Sequence, residues 1–347
     1  MKLLIINRPR QGRQQVDARR FQKMLDAVSL SGIIAEYHAL QTVKELELVL
    51  VSVQPDLVYC ANYNIQNAEG KDISIQQYLL DRKIAYIGSL PESLELVLSK
   101  SQLKRKWRQD KVATPSFFTL EMVEGKAHGL EKVLQEGQYP YILKPDREGN
   151  SRGLDENSVV NNPAEFEEKA QELLQKYRFV LVEKFLGRSR DLHEYTVAMI
   201  GNGENRLLMP AEIRLKVPKK VRVITTQDKD EHMTRAEPVR DPQLIERLSR
   251  FAGKAFDSAQ VRDYARCDLL MADNHLYAIE INGLPMIPDL WFEVCARSAS
   301  LDAGQYLNAI VAAGLIRAKR QGKINATIPK RMLDRLPESV MSRLANE

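Results

Sequence analysis

The sequence predicts an α/β fold: an N-terminal doubly wound parallel sheet followed by two α+β units. Three observations carry this expectation. Short apolar runs alternate with helical patterns up to Pro91, as in strands joined by crossover helices that cover both faces of a sheet. After Pro91 the order changes to a looser mixture of strands and helices. Late in the chain, "RCDLLMA" and "LYAIEIN" are close enough to face each other as a hairpin.

The elements follow in order. "KLLIIN" (Lys2–Asn7) reads as a buried strand, and Val16, Phe21, Met24, Leu25 and Val28 recur at helical spacing. Gly32–Leu40 reads as strand, Thr42–Val53 as helix, Asp56–Tyr63 as strand, Ser74–Arg82 as helix and Ile84–Ser89 as strand. One long helix is expected from Ser93 to about Gln109, ending before Pro115. Strands at "FFTLE", Tyr139–Pro145, Ser158–Val160 and Phe179–Leu186 then alternate with helices around Leu130–Gln135 and over Pro163–Tyr177. The last unit holds "EYTVAMI", "NRLLMPAEIRL", a helix over Pro242–Ser258, the two facing strands and a helix over Asp302–Ala318. Residues 1–92, 93–190 and 191–318 are thus three expected domains, with 319–347 as a basic C-terminal extension.

Composition narrows the classes. With 347 residues, 44% hydrophobic and 28% charged, the chain is an ordinary globular protein, neither disordered nor fibrous. The uncharged run Leu3–Asn7 is too short for a leader or a membrane span. Three widely spaced cysteines without a CxxC signal neither disulfides nor zinc, so a reduced cytoplasmic setting is expected. From Arg317 to Glu347 eight basic residues meet three acidic ones, which accounts for the whole net charge of +5. That tail has no aromatic residue for stacking on bases, so nucleic acid is not expected and a solvated tail is.

Three segments carry chemistry. If Asp273-Asn274-His275 forms a three-residue loop, Asp268 faces Glu280 and Arg266 faces Asn282. Facing carboxylates repel, and Asp, Glu and Asn offer the hard oxygen ligands that suit Mg²⁺; the alternative is a solvated hairpin. In "YILKPDREGNSRG", Lys144 ends an apolar strand without an evident partner, and a turn rich in Gly, Ser and Asn offers N–H groups to an anion. It matches neither the Walker nor the Rossmann glycine pattern. "LVEKFLG" is an apolar strand ending in charge, able to pair with a purine edge through its backbone and Glu183.

Together these segments resemble the ATP-grasp superfamily, and within it D-alanine–D-alanine ligase and related carboxylate–amine ligases. "IQQYLLDRKIAYIGS" is similar to the family's I-Q-x-L-L…I-P-Y-x-G-S, and "SKSQLKRKWRQDKVATP" keeps its lysine spacing before a proline. "ILKPDREGNSRG" is similar to V-K-P-x-x-E-G-S-S-x-G, "VEKFL" to E-K-W-L, "RCDL" to G-R-I-D-V and "EIN" to E-x-N. The resemblance implies an ATP-grasp fold whose two α+β units clasp ATP. It implies that Lys100 and Lys144 neutralise phosphates, under a loop of Glu148, Gly149, Asn150 and Ser151. Glu183, Lys184, Phe185 and Leu186 would hold adenine above Ile279, and Glu194 the ribose. Asp268, Glu280 and Asn282 would bind two Mg²⁺ ions, or Mn²⁺. Arg266, with Lys144 and Ser151, would act on the transferred phosphoryl group. The implied chemistry is an acyl phosphate made from a carboxylate and ATP, then displaced by an amine.

The substrate positions depart from the family. "NRPRQGRQQV" (Asn7–Val16) replaces a Gly-Gly-x-Ser-x-Glu-type segment and carries arginines but no acid; Arg8 and Arg10 either bind an acidic group or are solvated. Met286 stands at a family glycine, and Trp291-Phe292 replaces the acceptor's Ser-Leu. Arg214, Lys216, Lys219, Lys220 and Arg222 fall where relatives have a lid, and one of these lysines is a candidate for the γ-phosphate. The expected partners are therefore a small carboxylate and an amine (an amino acid or peptide), with D-alanine itself disfavoured; a homodimer is a further candidate. Transfer to a carrier-protein thiol, docked by the basic tail, is an alternative, and a non-catalytic nucleotide binder is another.

Overall fold

The computed structural model describes residues 1–9, 14–149, 151–189, 191–217, 223–225, 227–228 and 233–345. Asn150, Arg10, Lys219, Lys220 and Arg222 lie outside the described residues.

The first layer is a parallel sheet in the order β2-β1-β3-β6, from β1 (Lys2–Asn7), β2 (Ile34–Ala39), β3 (Leu57–Cys60) and β6 (Tyr86–Ile87). Alternation sends Leu3 and Ile5 to one face, against Phe21, Met24 and Val28 of α1 (Gln14–Ser29). Leu4 and Ile6 face the other way, against Leu46 of α2 (Val43–Val53) and Leu79 of α3 (Ile75–Asp81). Both faces are covered, as the alternation of apolar runs and helices demands. Thr42 and Glu45 close a capping box on α2, which fixes its start. A small hairpin, β4 (Asn64–Gln66) and β5 (Asp72–Ser74), stands between β3 and α3 and was not expected.

The long helix expected after Pro91 is two helices, α4 (Pro91–Leu98) and α5 (Lys100–Gln109). Ser99 breaks it with extended backbone: its Oγ donates to Asp146 Oδ2 at 2.6 Å, and Asp146 Oδ1 accepts from Ser101 N at 2.7 Å. A buried aspartate from a distant strand end thereby caps α5, and the break turns Lys100 towards the centre of the molecule.

Two antiparallel sheets follow. One has the order β10-β9-β11-β7-β8, from β7 (Phe117–Val123), β8 (Lys126–His128), β9 (Tyr141–Pro145), β10 (Val159–Val160) and β11 (Phe179–Lys184). Its covered face packs Leu143, Val180 and Val182 on Phe166 and Leu173 of α7 (Pro163–Leu174) and Val133 of α6 (Leu130–Glu136). The other has the order β14-β13-β12-β15-β16, from β12 (Leu192–Ile200), β13 (Leu207–Leu215), β14 (Thr234–Pro238), β15 (Tyr264–Ala272) and β16 (His275–Asn282). Val197, Cys267 and Leu269 pack on Trp107 and on α8 (Pro242–Ala259), while Ala198 and Tyr264 face α9 (Leu290–Ser298) and α10 (Ala303–Arg320). Trp107 and Phe117 are core residues, as their sequence context suggests.

The basic tail is not a solvated extension. It forms α11 (Lys330–Asp334) and α12 (Glu338–Ala345), and Met332, Leu336, Val340 and Leu344 are buried in the same core as α10. Met332 belongs to α11, Val340 and Leu344 to α12, and Leu336 to the turn between them, so the apolar anchors are spread over two short helices and their connection. Among the described residues no helix is long and apolar enough to cross a membrane.

Candidate active site

A cleft opens between the two antiparallel sheets, lined from one side by Lys100, Ile142, Lys144, Glu148, Ser151 and Glu183 to Gly187, and from the other by Glu194, Asp268, Ile279, Glu280 and Trp291. Strand periodicity selects these residues. Ile142 and Lys144 on β9 share a face with Leu181 and Glu183 on β11. The helices cover the opposite face, so this one is left to the cleft.

The cleft's floor holds an ion triad. Glu183 is 1% exposed; its Oε1 lies 2.6 Å from Lys104 Nζ and its Oε2 2.5 Å from Lys144 Nζ. Burial alone would raise the Glu183 carboxyl, but the charges of Lys104 and Lys144 outweigh it and hold it at about 2. Lys104 is fully buried, and burial, the largest influence, pulls its ammonium below the ordinary lysine value against the attraction of Glu183. Thr114 Oγ1 at 2.7 Å accepts a further hydrogen bond from Lys104. Lys144, which had no evident partner in the sequence, is thus paired with Glu183. Lys104 does not stand out in sequence, since "KSQLKRKWRQ" offers five cations. Its signal is position: it shares the buried helical face with Leu103 and Trp107.

Across the cleft, β15 and β16 pair Asp268 with Glu280 and Arg266 with Asn282, as the sequence predicts. The route to that register differs from the expectation. The turn is two residues, Asp273-Asn274, both with positive φ, and Ala272 pairs with His275. A bulge after Asp268 restores the register. Thr196 Oγ1 donates to Asp268 Oδ1 at 2.6 Å, and Lys100 Nζ approaches Glu280 Oε2 at 3.7 Å. Lys100 also donates to the carbonyl of Glu148, which links that backbone, through Lys100, to the Glu280 side of the cleft. Arg266 is held by Asp268 at 3.3 Å and Asp289 at 3.1 Å, under the Trp291 ring at 5.0 Å. Burial works against its charge, and Asp268 and Asp289 more than compensate, so it stays a cation.

The remaining expected residues divide. Ser151 lines the cleft in the left-handed region (φ 58°), and Gly149 stands in the same turn. Phe185, Leu186, Glu194 and Ile279 line the cleft. Lys184 lies on the other strand face and donates to the carbonyls of Gln138 and Tyr139, at 2.7 and 3.3 Å, so its backbone rather than its ammonium is available to a base. The Phe185 ring lies so close to Gly187 that a Cβ there would fall 2.1 Å from it. Asn282 does not line the cleft directly; its Oδ1 accepts from Leu284 N at 3.1 Å.

The substrate end corrects two expectations. Phe292 is wholly buried against Tyr306, so Trp291 alone of that pair faces the cleft. The N-terminal segment lacks an acid only up to Val16: the next residue, Asp17, is a buried carboxylate that accepts from Asn7 Nδ2 at 3.2 Å. Arg8 is paired with Asp72 at 2.7 Å on the small hairpin. Arg214 pairs with Glu212 at 2.6 Å, and Lys216 keeps its backbone bond to Met233.

The family model of the D-ala D-ala ligase C-terminus matches residues 107–308, which hold the β15–β16 hairpin and most of the cleft lining. The chain belongs to this family. It is 26% identical over 278 residues to a D-alanine–D-alanine ligase of Aquifex aeolicus, covering 80% of this chain and 88% of the relative. A Desulforamulus reducens D-alanine–D-alanine ligase is 28% identical over 276 residues, covering 74% and 84%. In fold, the chain is similar to a Bacillus anthracis D-alanine–D-alanine ligase (TM-score 0.72, 19% identity, 93% of this chain and 100% of that one). It is also similar to the VanG D-Ala:D-Ser ligase of Enterococcus faecalis (TM-score 0.68, 14% identity, 90% and 99%). The fold is ATP-grasp, and this family member is an ATP-dependent carboxylate–amine ligase.

Proposed function

We propose that the chain activates a small carboxylate with ATP and Mg²⁺ in this cleft and transfers the acyl group to an amine, with D-alanine not among its efficient substrates. The observation that carries the reading is one cleft in which Asp268 and Glu280 oppose Lys144 and Glu183, with Lys104 beneath Glu183 and the Arg266–Asn282 pair next along the same two strands.

The donor set fits magnesium. Asp268, Glu280 and Asn282 supply hard oxygens, and two facing carboxylates are stable only when their charge is offset. Among the described residues no group of three His, Cys, Asp or Glu could hold a metal; this suits an ion that takes two carboxylates and completes its shell with phosphate and water. Two bound Mg²⁺ ions, or Mn²⁺, would offset charge on the β- and γ-phosphates and hold them in line.

The chain's own residues do the rest. Lys144 and Lys100 meet phosphate oxygens, the first held by Glu183 and the second by Glu148 and Glu280. Ser151, close to Glu148 in the cleft lining, caps the transferred group. The backbone from Glu183 to Leu186 takes the base above Ile279, and Glu194 the ribose. Arg266, kept cationic by two aspartates, stabilises the charge that grows as the substrate carboxylate attacks the γ-phosphorus and ADP departs. An amine then adds to the acyl carbon and phosphate leaves.

Departures at Met286 and Trp291 support a substrate other than D-alanine. An ATP-consuming reaction and three buried free thiols, Cys60, Cys267 and Cys295, fit a cytoplasmic enzyme. Transfer to a carrier thiol loses its main support, because the basic tail meant to dock the carrier is folded onto the core. The test is ADP release over pools of carboxylates and amines, with and without magnesium. Metal-dependent release with some pool is expected; ATP binding without turnover on any pool contradicts the reading.

A further inference from the structure

Two lysines one turn apart on α5 each bridge the two walls of the cleft. Lys100 donates to the carbonyl of Glu148 and lies 3.7 Å from Glu280 Oε2. Lys104, four residues on and on the same helix face, makes the second bridge. Its Nζ stands 2.6 Å from Glu183 Oε1 on β11 and donates to the carbonyl of Ala278 on β16 at 3.4 Å. Lys100 lines the cleft, within reach of a ligand. Lys104 is wholly buried and does not line it, so it takes no phosphate itself.

The buried bridge is complete. An ammonium has three donors, and Glu183, Ala278 and Thr114 (Oγ1 at 2.7 Å) are the three groups around this one. Thr114 adds a strut of its own: its Oγ1 donates to the Ala278 carbonyl at 2.8 Å. Ala278 N in turn donates to Ala113 O at 2.8 Å. The helix is tied to both sides as well. Lys100 N donates to Asp146 O, just past β9, at 3.1 Å, and Trp107 Nε1 to Ala255 O of α8 at 3.2 Å.

A continuous path of contacts follows. Lys144 is held by Glu183 at 2.5 Å, Glu183 by Lys104, and Lys104 by Ala278, two residues from Glu280 on the same strand. For stability alone, an apolar side chain often serves as well as a buried ion. What the ion adds here is two directional contacts, one to each wall.

We propose that Lys104 is a positioning residue that sets the spacing between Lys144 on one wall and the Asp268–Glu280 pair on the other, so that Lys144 and magnesium hold the same triphosphate at once. This rests on the ligase reading. Lys104 touches neither nucleotide nor metal, and it acts through Glu183 and Ala278.

The test is ATP binding to the full chain by calorimetry, with magnesium and with excess chelator, so neither substrate nor turnover is needed. In the unaltered protein magnesium is expected to tighten ATP binding by about tenfold or more, the size of one added charged contact. Lys104→Met keeps the length and removes the bridge. Its metal-free affinity should stay close to that of the unaltered protein, while the gain from magnesium falls towards one. Thr114→Val keeps volume and the Lys104–Glu183 pair but cuts the strut to Ala278, and it should lose part of the same gain. A merely structural lysine would lower both affinities alike and leave their ratio unchanged. An unchanged ratio in folded Lys104→Met, or in Thr114→Val if the first variant does not fold, overturns this inference and leaves the ligase reading standing. No gain from magnesium in the unaltered protein overturns both.

Discussion

At the nucleotide end of the cleft the charges are closed on one another: both oxygens of Glu183 are taken by Lys104 and Lys144, beneath a helix start capped by Asp146. At the other end Trp291 lies over Arg266, which Asp268 and Asp289 hold. The first end is pre-organised: its groups hold their charge and position before a ligand arrives, which is what phosphate binding and phosphoryl transfer require. The second end is where the sequence departs from the family, at Met286 and Trp291. The contrast teaches that phosphate chemistry and substrate choice depend on different walls of one cleft.

The harshest way to break this contrast is at the metal-facing pair. Glu280→Gln keeps volume and removes a charge, and ADP formation should fall by about 10²-fold or more with thermal stability nearly unchanged. Near-normal turnover in the folded variant would take Glu280 out of the site. Lys144→Ala should then raise the ATP Kd by about tenfold or more, one lost charged contact. Unchanged affinity by calorimetry together with unchanged turnover would mean that the lysine serves Glu183 alone.

Acid titration sharpens the claim that the nucleotide end is closed. The Glu183 carboxyl is lowered from 4.5 to about 2, so its contribution to stability is fully present above pH 4.5 and is lost as pH falls towards 2. Above pH 5, Glu183→Gln should cost about 3 kcal/mol, because two buried ammonium groups lose their counter-charge. Chemical denaturation at a series of pH values should find that gap constant at neutral pH and narrowing below 4.5. A gap that widens in acid would contradict the triad.

The smallest effect belongs to the substrate end. Trp291→Ala should lower kcat/KM for acceptors with apolar or ring-bearing faces by about five- to tenfold, the contact of one aromatic side chain. It should change the KM for ATP less. Steady-state kinetics over an acceptor series measures both, and equal effects on ATP and acceptor would move Trp291 away from the acceptor.

How far the sequence could be read follows the same division. Periodicity and motif spacing foretold the parallel sheet, two α+β units after it and the Asp268–Glu280 pairing, because each is a local pattern. The break at Ser99 was hidden because its cause, Asp146, is remote in sequence. The folded tail is hidden in sequence because its apolar anchors Met332, Leu336, Val340 and Leu344 sit on two helices too short for a clear helical period. The register of β15 and β16 was reached through a wrong loop length, and the bulge after Asp268 supplied the missing residue. Lys104 is invisible in sequence because, among many cations, only the fold tells which one is buried.

The central claim is that this chain keeps the family's phosphate and metal machinery and not its D-alanine site. The most direct measurement supplies ATP, magnesium and D-alanine as both carboxylate and amine, and follows D-alanyl-D-alanine by mass spectrometry beside ADP release on mixed carboxylate and amine pools. The account predicts metal-dependent ADP release with the pools and only background dipeptide from D-alanine. Robust D-alanyl-D-alanine synthesis by the purified protein would contradict it.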